Sequence, residues 1–400
     1  MKFFKFAYAV FFIAAIFYAN LRVFAFLTPR HIVTVLMFII CIVMEKKVFL
    51  DTYFKLYLVF LFSFGISSLF TGYISPYAKA LVGSYFVAYV GYWSTRILIE
   101  KYNSQQFFVN LFVIVGLVNA LVTIGQFLYI PIFQALPDLL HTRMDAGFVS
   151  AVESESDLYG LAIPGLIGDD VYNGYFLMVS VIISLYYQKD GFNILKLIPW
   201  VVLFIALYFN QERGPFFLAV FVSILILGRC ISINRNSITP IKKAIFYMAL
   251  LGVGVWLVGF LSSGTSRFAK GLSVTNRDSI YSRALEYISN HALFGGWYKF
   301  LDTEHFYPHN MLINAWISGG FLGFLVVLVM TIKQFVEVAR AFFSRMNSRV
   351  FSNLVVGFAF AAFTMNSMLH NASVVAGDIV VWFLWGAFVI QPSRNREVRL

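Results

Sequence analysis

Two arginines and one histidine stand where helices are expected to begin, and each is of a type that handles phosphate or protons. Residues Asn210-Gln211-Glu212-Arg213-Gly214-Pro215 form a short polar turn before an apolar helix, with Pro215 suited to its first position because the missing N–H would have no partner there. Arg213 therefore lies beside a helix N-terminus, where the macrodipole already presents partial positive charge. A cation there is unfavourable alone and becomes favourable when an anion shares the site. Neutralisation by Glu212 or by a lipid phosphate is the alternative.

Thr275-Asn276-Arg277-Asp278 reads as a capping-box-like start that puts Arg277 in the first turn of a second helix. Tyr281, Ala284, Leu285, Ile288 and Ala292 then recur at helical spacing, while Ser282, Arg283, Glu286, Ser289 and Asn290 fill the other face. Such a helix is expected to lie on the membrane or on the helix bundle and to stop at Gly295-Gly296. An interfacial helix whose basic residues bind lipid is the competing reading. Tyr307-Pro308-His309-Asn310 opens a further helix, where His309 could accept a proton from a hydroxyl. His291 and His305 are near it in sequence, but their spacing matches no zinc motif, and no metal is expected.

The elements that must position these residues are set by hydrophobicity. The 400 residues are 60% hydrophobic and 12% charged, with a mean hydropathy of +0.79, whereas a soluble domain carries roughly 25% charged residues. Apolar runs of membrane-crossing length are expected at 6–20, 31–44, 55–71, 80–97, 106–129, 171–187, 194–209, 215–229, 243–262, 310–332, 353–370 and 376–390, as one all-α polytopic membrane domain over residues 1–400. With both termini inside, the inner connections and termini hold 20 of the 30 Lys and Arg, the bias expected of cytoplasmic loops. The long connections 130–170 and 263–308 then face outward, the first with one Arg against seven carboxylates.

Several classes of function are disfavoured. The net charge of +11 is scattered at the ends of apolar runs and builds no nucleic-acid stripe. Cys41 and Cys230 are too few and too apolar in setting for a disulfide framework or thiolate metal site. The expected span centres carry no ionisable residue of the kind coupled transporters place at the midplane, so a flippase or channel is the weaker rival. Asp378 comes nearest, at the outer end of the last span.

Residues 165–330 resemble the O-antigen polymerase and ligase superfamily. The likeness rests on Arg277, Tyr281, His291-Ala292-Leu293-Phe294-Gly295, His309-Asn310, Gly320 and Gly323. Upstream it adds the Arg213-Gly214 turn, Gly165-Leu-Ile-Gly168 and Asn173-Gly174. Ala292 stands where the family usually has Pro, and Tyr281 where it usually has Trp. The resemblance implies a GT-C-like inner-membrane glycosyltransferase working on the periplasmic face with undecaprenyl-diphosphate-linked glycans, without metal or other cofactor. It casts Arg213 and Arg277 on the diphosphate and His309 as the base for the acceptor hydroxyl. Asn310, Arg283, Tyr281 and His370 become substrate-lining candidates, and a chain-length regulator a candidate partner. Two outer loops of similar size resemble the polymerase more than the ligase, which transfers the glycan to lipid A-core.

Overall fold

The computed structural model describes residues 1–18, 28–45, 52–71, 77–140, 163–233, 277–296, 300, 308–344, 347–368, 375 and 377–388. Of these, 85% are helical and none lies in a strand. In chain order the α-helices are α1 (Lys2–Phe17), α2 (Pro29–Met44), α3 (Thr52–Thr71), α4 (Tyr77–Arg96), α5 (Gln105–Phe127), α6 (Pro131–Leu140), α7 (Asp170–Ser184), α8 (Ile198–Asn210), α9 (Arg213–Ile233), α10 (Arg277–Asn290), α11 (Met311–Phe343), α12 (Ser348–Ser367) and α13 (Ile379–Ala387). By length and composition α3, α5, α9, α11 and α12 can each cross a membrane. The other helices that meet expected spans are shorter or more polar, and the expected span 243–262 lies outside the described residues.

The surface of the bundle is apolar in stripes. Ile114, Val118 and Leu121 on α5, and Leu322, Leu325, Val329, Ile332 and Val336 on α11, are all exposed. Their spacing of three or four residues puts each set on one helix face, and an exposed apolar stripe of that length is tolerable in lipid rather than in water. The interior is α7, buried throughout from Asn173 to Ser184, and α13, buried over its whole length. A helix apolar all round belongs inside a bundle or a membrane. At nine residues α13 rises only about 14 Å.

Two departures from the sequence-based expectation concern α11 and α10. The span expected to end at 332 continues helically to Phe343. Lys333 bonds to Glu337 one turn on, and Glu337 also takes the Tyr53 hydroxyl, so these charges neutralise each other on the helix instead of ending it. Leu285, expected on the apolar stripe of α10, is 55% exposed. Tyr287 takes the inward place, packing with Ala284 and Ile288 against Ile313, Trp316 and Ile317 of α11. Of the two surfaces considered for it, α10 packs on the bundle.

What seats α10 is a break in α11 at Gly320, whose φ of 63° and ψ of −161° interrupt the helix. Two backbone groups near the break find partners in the turn after α10. Phe321 N–H donates to Ala292 O at 2.9 Å, and Ile317 O accepts Gly296 N–H at 2.7 Å. Trp316 Nε1 adds a third bond to Ala292 O at 3.0 Å. The positive φ requires glycine at 320, and a Cβ there would collide with Leu293 O.

Polar contacts gather at both ends of the bundle. At one end Lys101 reaches Met44 O and Glu45, Gln105 meets Asn353, and Arg229 donates to Ser344 O. At the other lie the N-termini of α7, α9 and α11 and the C-termini of α5, α8 and α12. That second end carries the candidate chemistry.

Candidate functional site

The turn that carries Arg213 is built by a left-handed residue. Gln211 closes α8 at φ 64°, a conformation that costs an L-residue about 1 kcal/mol and usually falls to glycine. Phe216 N–H donates to Glu212 O, so α9 begins with Arg213 as its first residue. Pro215 is therefore third in the helix, not first as expected. The tolerance has the same cause, since none of the first N–H groups has an intrahelical acceptor. Glu212 is 6% exposed and Arg213 partly buried.

Beneath this turn, carboxamides tie the end of the first long connection into the bundle. Asn119 Nδ2 donates to Asn173 Oδ1 at 2.7 Å, and Asn173 Nδ2 donates to Thr123 Oγ1 and Ile163 O. Leu166 N–H donates to Asn119 Oδ1, while Gly165 N–H donates to Gln126 Oε1. Asn210 Nδ2 donates to Ile163 O at 2.8 Å and Asp170 O at 2.9 Å. Gly165-Leu166 and Asn173-Gly174 thus work as the buried floor of this end. Gly165, at φ 60°, leaves no room for a Cβ beside Asn119 and Asn173.

The second turn carries His309, again in a left-handed conformation at φ 49°. Gln211 and His309 are two of only four such non-glycine residues among those described, and backbone strain of this kind concentrates at functional sites. Asn310 fixes the turn. Its Oδ1 accepts from Leu312 and Ile313 N–H, capping α11, and its Nδ2 donates to Met368 O at 2.9 Å. The carboxamide is thereby largely committed to holding the turn. The Tyr281 hydroxyl makes a long 3.4 Å bond to His309 O, linking the first turns of α10 to the same place.

Both turns meet the last turn of α12. Gly214 sits against Asn366, whose Oδ1 lies 2.5 Å from where a Cβ on residue 214 would be. Asn310 holds Met368 O, and the Tyr175 hydroxyl donates to Asn366 O at 3.2 Å. Arg213-Gly214 and His309-Asn310, separated by nearly a hundred residues, are thus anchored two residues apart on one helix end. Arg277 is the first described residue of α10, Arg213 opens α9, and His309 stands two residues ahead of α11. Arg283 is exposed on α10. His291 stacks on Tyr287 with ring centroids 4.2 Å apart and bonds to Tyr287 O. His370, His305 and most of both long connections lie outside the described residues.

Sequence reasoning passed over two groups at this end of the bundle. One is Asn366, a lone carboxamide in an apolar run, which a search for ionisable residues does not notice. The other is Arg30 in the first turn of α2, which interacts electrostatically with Asp378, the cap of α13. Asp169, the N-cap of α7, belongs to the same group through its electrostatic interaction with Asp378. Among the described residues no three His, Cys, Asp or Glu side chains stand close enough to hold a metal ion.

Among the described residues the fold is all-helical, and its several long apolar helices are those of a multi-pass membrane protein. No protein-family model matches the chain, and no curated protein matches it significantly.

Proposed function

We propose that this chain is a membrane glycosyltransferase of the O-antigen polymerase kind, joining polyprenyl-diphosphate-linked oligosaccharide repeat units on the outer face of a bacterial inner membrane. The observation that carries the reading is the convergence of the Arg213-Gly214 and His309-Asn310 turns on the last turn of α12. A phosphate-binding cation and a general base held by one rigid element are what transfer from a diphosphate requires.

In this reading twelve helices cross the membrane with both termini inside, and Arg213 and Arg277 hold the diphosphate. A guanidinium presents paired donors that match phosphate oxygens, and the helix N-termini add partial positive charge. His309 takes the proton from an acceptor sugar hydroxyl as that oxygen bonds to the anomeric carbon. The bond from carbon to diphosphate oxygen breaks with inversion, and the polyprenyl diphosphate leaves with its electron pair. Stabilising that leaving group is the largest task, and the arginines carry it.

Protein reconstituted with lipid-linked repeat units should yield lipid-linked dimers and longer chains and release polyprenyl diphosphate. His309→Ala and Arg213→Ala should each lower the rate at least a hundredfold with the protein still folded. Glycan appearing on added lipid A-core instead would assign the ligase activity, and product formation unaffected by either substitution would refute His309 as the base and Arg213 as the diphosphate ligand.

A further inference from the structure

The carboxamides around the Arg213 turn differ from those of the floor beneath it. In the floor both side-chain atoms of Asn119, Asn173 and Gln126 have partners. Around the turn they do not: Asn366 is fully buried with neither Oδ1 nor Nδ2 bonded, and Asn210 Oδ1 and Gln211 Oε1 are likewise buried without a partner. The identity of these oxygens is fixed by the bonds of the neighbouring nitrogens, Asn210 Nδ2 to two carbonyls and Gln211 Nε2 to Tyr208 O. For Asn366 either orientation leaves the same pair unbonded.

Nearly every buried polar group in a folded protein has a partner, so several such atoms in one turn and its neighbour call for an explanation. They belong to one place. Asn210 Oδ1 lies 2.6 Å from where a Cβ on Gly174 would be, and Asn366 Oδ1 2.5 Å from one on Gly214. Tyr175, next to Gly174, bonds to Asn366 O. Glycines at 174 and 214 let the backbone approach these oxygens as no other residue could.

The chemistry of the unbonded set selects its ligand. Three acceptor oxygens stand against one amide nitrogen, so the group that completes them must mostly donate hydrogen bonds. A phosphate has only acceptors and does not fit. Sugar hydroxyls donate and accept, and a planar carboxamide can engage two neighbouring hydroxyls at once. We propose that Asn210, Gln211 and Asn366 form a sugar-hydroxyl subsite beside Arg213, taking the sugar joined to the diphosphate. This deepens the glycosyltransferase reading and rests on it.

The test uses the full-length protein in detergent and two probes, undecaprenyl diphosphate and a single undecaprenyl-diphosphate-linked repeat unit. Wild type should bind the glycan-bearing probe at least tenfold more tightly than the bare diphosphate. Asn366→Leu should lose that increment, keep its affinity for bare diphosphate, and show no fall in thermal midpoint, because it removes polar atoms that have no partner in the free protein. Equal affinity of wild type for the two probes overturns the subsite, as does an Asn366→Leu protein that keeps the increment. A lowered midpoint in Asn366→Leu overturns it too, since the carboxamide would then have a structural partner. Wild type binding neither probe removes the glycosyltransferase reading itself.

Discussion

Replacing Gly214 by alanine tests the contact on which the site geometry turns, because two opposing effects give opposite signs. Alanine is the better helix former, by up to about 1 kcal/mol in a helix interior and less in a first turn. Against this, the added Cβ would lie 2.5 Å from Asn366 Oδ1 and 3.6 Å from its Cγ. An ordinary C···O approach is about 3.3 Å, so roughly 0.8 Å must be absorbed by a short, buried side chain. Overpacking of that kind costs about 1–3 kcal/mol, and Gly214→Ala should therefore destabilise by about 1–2 kcal/mol. Asn366→Ala removes the obstructing atom, so in that background Gly214→Ala should cost nothing, a coupling of about 1–2 kcal/mol in a double-mutant cycle. The assay is denaturant unfolding of the four proteins in mixed micelles. A stabilised Gly214→Ala protein, or an equal penalty with and without Asn366, would refute the contact.

Other substitutions separate the framework from the chemistry. Gly320→Ala demands a left-handed conformation of alanine and pushes a Cβ into Leu293 O; a loss above about 3 kcal/mol, or failure to accumulate in membranes, is expected from that strain. Asn310→Ala removes the cap of α11 and the bond to Met368 O, for about 2 kcal/mol in unfolding measurements, with a larger loss of activity because His309 loses its support. Arg213→Lys keeps the charge but not the paired donors, so the turnover of lipid-linked units should fall at least tenfold.

The apolar helices among the described residues were legible because lipid-facing and buried positions are both apolar, which is all hydropathy needs, whereas α6 falls in what reads as a long connection. The helix carrying Arg277 was legible too, since amphipathicity is local. Pro215 was misplaced by two positions because several positions of a first turn tolerate its missing N–H equally. Leu285 and Tyr287 lie on opposite sides of the Ala284–Ile288 stripe, and packing against α11, which the sequence does not show, takes the Tyr287 side. α11 runs helically past the expected span end at 332, because Glu337, which takes the Tyr53 hydroxyl, neutralises Lys333 on the helix, a matter of helix packing. Asn366 left no local signal. Its importance comes from facing Gly214, a contact between residues 152 positions apart.

The most direct test of the central claim is a gel of surface polysaccharide from a strain lacking this gene, complemented with wild type, with His309→Ala at equal expression, or with nothing. The account predicts a ladder of long chains with wild type and single repeat units on the core with either of the others. Full ladders from the His309→Ala strain, or from the uncomplemented deletion, would contradict it.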